Sequence, residues 1–175
     1  RRLVQVLAEA GGARLHTGTE VTALTSSGTG WTVTTADGDG VADYAGVVVA
    51  VPAWTAGRLL GGAAPTAARA LSAVQPAGSA VVACVLAAGT AVPEHSGVLV
   101  ASDATDLRTK AVTLSSQKWP HLRDGAPLLR VSFGRLGEPV ELDDDALTAV
   151  AVEDLAVIFA AVGLPAPEVT ASAVQ

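Results

Sequence analysis

Methionine and asparagine are absent from this 175-residue chain, isoleucine occurs once, lysine twice and cysteine once. A lone cysteine excludes an internal disulfide. Cys84, set within the apolar run AVVACVL, reads as a buried strand thiol rather than a nucleophile. Aromatic residues make up 3% of the chain, too few for the stacked series on which single-stranded nucleic acid lies. A net charge of -6 and a pI near 4.9 disfavour nucleic acid further. Glycine, proline or charge interrupts every apolar run short of the ~18 residues that cross a bilayer. His16, His95 and His121 are too scattered for a metal site, and no Ser-His-Asp or Cys-His spacing supports hydrolysis. A chain that opens on Arg1 and holds no methionine reads as an internal fragment of a longer reading frame.

What is present argues for a folded protein. Half the residues are hydrophobic and the mean hydropathy is +0.44, which excludes disorder. The bias toward Ala, Gly, Val and Arg suggests a GC-rich genome. Residues 1–10 place Leu3, Leu7 and Ala10 on one helical face, with Gly11 and Gly12 as the stop. Short strands are expected at 14–17, 20–25 and 31–35, with turns at 27–30 and 37–40. Residues 46–51, GVVVAV, are apolar on both faces and read as a strand sandwiched in a covered sheet, ended by Pro52. Helices follow at 54–60 and 65–73.

From residue 79 the pattern changes to longer strands, at 80–86, 97–101, 110–115 and 128–134, then an amphipathic helix at 144–162. Its apolar stripe is Leu147, Val150, Ala151, Leu155, Ile158, Phe159 and Val162, and Gly163 caps it. Asp143, Asp144 and Asp145 suit its N-terminus, where the helix dipole favours negative charge. No glycine-punctuated calcium loop accompanies them, so a metal site is not expected. A last strand lies near Val169.

The densest chemistry lies in residues 110–135, KAVTLSSQKWPHLRDGAPLLRVSFGR. Two alternating strand patterns flank a turn block bearing Lys118, Trp119, Pro120 and His121. Over residues 108–135, Arg108, Lys110, Lys118, Arg123, Arg130 and Arg135 stand against a single acid, Asp124, in an acidic chain. A locally cationic, aromatic-bearing hairpin suits an anionic, partly apolar ligand.

Three segments carry a resemblance to flavin-containing amine-oxidase-type proteins, and within them to the bacterial coproporphyrinogen III and protoporphyrinogen oxidases. They are RLVQVLAEAGGARLHTGTEVTAL at 2–24, VVVAVPA at 47–53, and the SSQKWPH and LLRVSFGR portions of 113–135. The first two are shared by many flavin oxidases; the third is specific. The resemblance implies an α+β fold. Residues 1–54 would be the C-terminal part of an FAD-binding Rossmann-like domain, a β-meander and a buried strand. Residues 55–175 would be a partial substrate-binding domain of antiparallel sheet plus helix. It implies non-covalent FAD and a porphyrinogen substrate, oxidised in three two-electron rounds with dioxygen as acceptor and hydrogen peroxide as product. A cytoplasmic location is implied, with peripheral membrane contact that no amphipathic basic helix supports. The chain lacks a G-x-G-x-x-G turn, so it should bind FAD poorly by itself.

The same resemblance nominates site residues, each with a plainer alternative. Val21 would offer its backbone to the adenine ring, or be an ordinary strand valine. Ala50, Val51 and Pro52 would lie beside the cofactor, or Pro52 would simply end a strand. Trp119 would pack on a pyrrole ring, or anchor the turn before Pro120. Leu99 would be an aliphatic wall of the pocket, or a core leucine, with Val92 a second wall. Lys118 and Arg130 would take substrate carboxylates, assisted by His121, or belong to a solvated face. Arg130 is expected opposite the Leu129, Val131 and Phe133 face of its strand. Catalytic residues are not assigned. A carotenoid desaturase relative and a non-catalytic interaction module are the competing functions. The desaturase reading would leave the cations without purpose.

Overall fold

The computed structural model describes residues 2–38 and 42–175, which fall into two compact units, Arg1–Gln75 and Pro76–Gln175. The division lies beyond the expected 54/55 join because the two short helices after Pro52 pack on each other and on the first sheet.

In the first unit, α1 (Arg2–Ala10) ends where Gly11 N–H reaches Leu7 O at 2.9 Å and Gly12 turns at φ 61. Strands β1 (Val21–Ser26), β2 (Trp31–Thr35) and β3 (Ala42–Tyr44) form an antiparallel meander in that order. The Ser27–Gly30 turn closes with Ser27 N–H donating to Gly30 O at 3.0 Å. The turn expected at 37–40 begins with Gly38 at φ 74; the rest of it lies outside the described residues. Helices α2 (Ala53–Leu60) and α3 (Pro65–Ser72) cross at Gly57, where a side chain would come within 2.6 Å of Ser72 Oγ. The buried apolar side chains here are few: Leu24, Ala56, Leu59 and Ala68.

Two expected strands of this unit are not strands. Residues 14–17 are exposed and irregular, and 46–51 pair with nothing among the described residues, with Val48 92% exposed. The physical reason is the same for both. A β pattern becomes a strand only when a neighbour supplies the ladder, and the sheet ends at β1 on one side and β3 on the other. The expected buried strand is therefore corrected to an irregular segment, exposed apart from the half-buried Val47 and Val49.

The second unit is a five-stranded antiparallel sheet covered on one face by a long helix. The strands are β4 (Ala80–Leu86), β5 (Gly97–Leu99), β6 (Ala111–Leu114), β7 (Leu128–Phe133) and β8 (Val169–Val174), ordered β5-β6-β7-β4-β8. Between β6 and β7 run α4 (Ser115–Lys118) and a single 3-10 turn (Pro120–Leu122). Helix α5 (Asp144–Ala161) follows β7. Alternation along β4, β6 and β7 buries Val82, Cys84, Leu86, Val112, Leu114, Leu129, Val131 and Phe133 against Leu147, Ala151, Leu155, Ile158 and Phe159 of α5. Each large side chain so buried is worth about 1.5–3 kcal/mol.

The ends of α5 behave as its sequence requires. Asp143 caps it, accepting from Ala146 N–H at 2.9 Å, and Asp144 and Asp145 occupy the first turn. Among the described residues no acidic or histidine cluster could hold a metal ion. At the other end Gly163, at φ 77, lets Leu164 N–H return to Phe159 O at 2.9 Å. Val162 departs from the expected stripe, being 45% exposed. The stripe instead includes Asp154, a buried carboxylate whose Oδ2 accepts from Thr109 N–H at 2.7 Å and Arg108 N–H at 3.1 Å. No helix is long and apolar enough to cross a membrane among the described residues.

Asp154→Ala would orphan a buried backbone N–H and is expected to cost about 2–3 kcal/mol in urea unfolding, with Asp154→Asn costing less because one acceptor oxygen remains. Burial raises the Cys84 thiol above its ordinary 9.0. The folded chain then holds a proton that the unfolded chain has released, so stability falls as pH rises above 9.0. A Cys84→Ala variant should show a shallower alkaline decline in the same titration.

Candidate functional site

The face of the five-stranded sheet away from α5 is set by the register. Arg130 pairs with Thr113 on one side and Ala83 on the other, and Ala83 pairs with Ala173. Thr113 in turn pairs with Gly97. A transverse row Gly97, Thr113, Arg130, Ala83, Ala173 therefore crosses all five strands, because paired residues point to the same side. The next row is Leu99, Ala111, Ser132 and Val81. Most of the floor is thus small side chains, with Leu99 at the sheet edge and Leu128 beside Val85 in the row beyond, and Arg130 is its charged residue. Arg130 stands opposite Leu129, Val131 and Phe133, which are buried, and is itself exposed.

Leu99 projects from the same face at the edge of the sheet and is 87% exposed, which excludes the core-leucine alternative. It lies two strands from Arg130, hence ~10 Å across the sheet. Lys118 and Trp119 occupy the connection between β6 and β7, where chain direction brings them to the β7 start. Trp119 is half exposed, with Lys118 Nζ 5.5 Å from its ring centroid and the His121 ring 6.5 Å away. That cation–π contact holds the ammonium and the ring as one amphipathic unit. Ser116 fixes the connection by accepting from Leu128 N–H at 2.8 Å, and Arg123 Nη2 donates to Gln117 O at 3.2 Å. Beside it opens a cavity of about 370 Å³, lined by Val92, Ser116, Gln117 and Arg123 among others. Trp119, Lys118 and Arg130 do not line that cavity. They border open surface instead.

In the first unit, Val21 opens β1 opposite Thr35, next to a register shift before Ala23, and is partly buried. Ala50 and Pro52 are exposed, in the irregular segment leading into α2, whose first bond runs from Ala56 N–H to Pro52 O at 2.9 Å. Val21, Ala50 and Pro52 thus lie in one unit, and Leu99, Lys118, Trp119 and Arg130 in the other.

The sequence model of the flavin containing amine oxidoreductases matches residues 1–173. The chain belongs to that family. Among curated relatives, coproporphyrinogen III oxidase of Mycobacterium leprae is 46% identical over 116 residues, 65% of this chain and 25% of the relative. The coproporphyrinogen III oxidase of Mycobacterium bovis is 45% identical over 115 residues, with the same shares covered. The chain thus spans about a quarter of the length of these relatives. Among solved structures, a protein assigned as a protoporphyrinogen oxidase from Exiguobacterium sp. 255-15 superposes with a TM-score of 0.80 at 21% identity, over 99% of this chain and 37% of its own. Reduced UDP-galactopyranose mutase superposes at 0.69 with 17% identity, covering 98% of this chain and 37% of its own. These two likenesses show the fold alone: helices and antiparallel sheets.

Family membership implies a flavin cofactor, and the residues of the first unit fit one edge of such a group but not its phosphates. Residues 46–51 form no strand, and no backbone hydrogen bond engages them among the described residues, so their main-chain donors and acceptors are unpaired there. Among the described residues neither α2 nor α3 is entered through a glycine-rich turn, and Pro52 and Pro65 each remove one N–H donor from the helix start. The sequence could have signalled the part it missed in the second unit. Asp154 is a lone acid inside an apolar stripe, and such a residue must find donors.

Without a glycine-rich phosphate turn in the chain, a flavin phosphate should add little to affinity. FMN and riboflavin, which differ by one phosphate, should bind the 175-residue chain within roughly threefold of each other in a fluorescence titration. FMN binding far tighter than riboflavin would reveal a phosphate cradle elsewhere.

Proposed function

We propose that this chain contributes the substrate-facing sheet and part of the flavin site of an FAD-dependent oxidase that converts coproporphyrinogen III, or protoporphyrinogen IX, to the porphyrin with dioxygen as acceptor. The observation that carries the reading is the uncovered sheet face: a floor of mostly small side chains with one guanidinium in its middle and a cationic tryptophan unit on the adjoining connection. A flat macrocycle suits a floor of mostly small side chains, and its propionates need cations within reach. The names of the curated relatives, at 45–46% identity across the part matched, point to the same substrate class.

In this reading Arg130 takes one propionate through its planar fork and Lys118 another as a point charge. Trp119 lies against a pyrrole ring, its orientation held by the Lys118 ammonium. Leu99 shields the macrocycle edge. Val21 gives main-chain contacts to the adenine, and Ala50 and Pro52 lie along the flavin ring. Bound flavin supplies the redox chemistry by accepting hydride equivalents that dioxygen finally takes. The chain's own residues bind, orient and exclude water; no side chain among them is assigned a proton.

In the complete protein, Arg130→Ala and Lys118→Ala should each raise KM for coproporphyrinogen III by about 10–100-fold, the loss of one charge-assisted hydrogen bond, with kcat less affected. Four propionates on that substrate against two on protoporphyrinogen IX make the double variant's loss larger for the former. Unchanged turnover of the tetracarboxylate by both single variants would refute the assignment of these cations.

A further inference from the structure

A second concavity lies on the opposite side of the same sheet. It has a volume of about 380 Å³ and opens between the end of β7, the 100–109 loop and the start of α5. Phe133, Leu142 and Leu147 form its apolar wall, while Arg108, Arg135 and Glu138 supply charge. Phe133 and Leu147 belong to the face that α5 covers, so this cavity is separated from Arg130 by the thickness of the sheet.

Two features fix the 100–109 loop, which borders this cavity, before any ligand arrives. Arg135, its side chain 22% exposed, donates from Nη2 to Val100 O at 3.0 Å, which pins the start of the 100–109 loop. Asp154 pins the other end through the N–H groups of Arg108 and Thr109. A guanidinium has five N–H donors, and that of Arg135 makes one hydrogen bond within the described residues. Its other contact, to Glu138 Oε2, is 4.0 Å, too long for a hydrogen bond, and Glu138 is 66% exposed and free to turn away. The remaining donors stand at the margin of a hollow whose lining mixes polar and apolar surface.

We propose that this cavity is a second ligand site, for a small monocarboxylate with an apolar body such as an arylcarboxylate. The carboxylate would bridge Arg135 and Arg108, displacing Glu138, and the hydrocarbon would lie on the half-buried Leu107, Val140 and Leu142, above the buried Phe133 and Leu147. The pairing of a planar guanidinium fork with an apolar wall selects a carboxylate on a hydrocarbon over a free inorganic anion. Nearby Glu138 disfavours a dianion more than a monoanion. The loop is already fixed at both ends, so ligand binding should order the Arg108 side chain rather than reshape the backbone.

The test is a titration of the 15N-labelled 175-residue chain with benzoate and, separately, benzamide, followed at the amides of Leu107, Gly134 and Glu138, which line the cavity. Benzoate should give saturable shifts at these amides, and uncharged benzamide should bind about tenfold more weakly. Arg108→Gln and Arg135→Gln should each weaken benzoate about tenfold, whereas Glu138→Gln should tighten it by removing a competing carboxylate. Arg108 is exposed, so its variant tests the site even if replacing Arg135 disturbs the fold. An equal response to benzamide, no saturation with benzoate, or weaker binding by Glu138→Gln would overturn the proposal.

Discussion

One helix covers one face of one sheet, and nearly everything about the second unit follows from that. Side chains on a strand alternate between faces, so committing Leu129, Val131 and Phe133 to α5 commits Arg130 to the other side. The register then carries the same choice across five strands, gathering glycine, alanine, threonine and valine into a shallow apolar pavement around a single charge. A slip of one residue in β7 would bury the guanidinium and expose three core side chains. Core and candidate binding face are thus two readings of one hydrophobic pattern.

Patterns complete within a few residues were legible from the sequence; those needing a distant partner were not. β2 and β4 alternate over their own lengths and lie where the period places them. α5 carries its cap, stripe and glycine stop within about twenty residues. Residues 46–51 carry an equally strong apolar signal and yet form no strand, because pairing is a property of two segments. Leu99 shows the limit in another form. Its neighbours in β5 are apolar, but a three-residue edge strand gives alternation too little length to declare which side is inward.

The candidate site was legible to a similar depth. The strand parity of Arg130 followed from its own sequence, and the proximity of Lys118 to Trp119 from adjacency along the chain. The cavity at Arg108 and Arg135 was invisible, since it depends on a contact between Asp154 and backbone some forty-five residues earlier. Polar groups inside helices reach for main-chain partners that composition cannot name. The two units also differ in self-sufficiency. The second encloses a continuous core, while the first buries few apolar side chains and exposes Leu3, Val4, Leu7, Leu15 and Trp54, consistent with a chain that spans a quarter of its relatives.

The strand order β5-β6-β7-β4-β8 makes β4 interior only because β8, made much later, lies along its outer edge. During synthesis AVVACVL can pair with β7 on one side but must wait, with its other row of amides and carbonyls open, until residues 169–174 emerge. An apolar strand with one vacant edge is a template for neighbouring chains. Ribosome traffic, rather than the finished fold, is therefore where this sheet is most exposed to self-association.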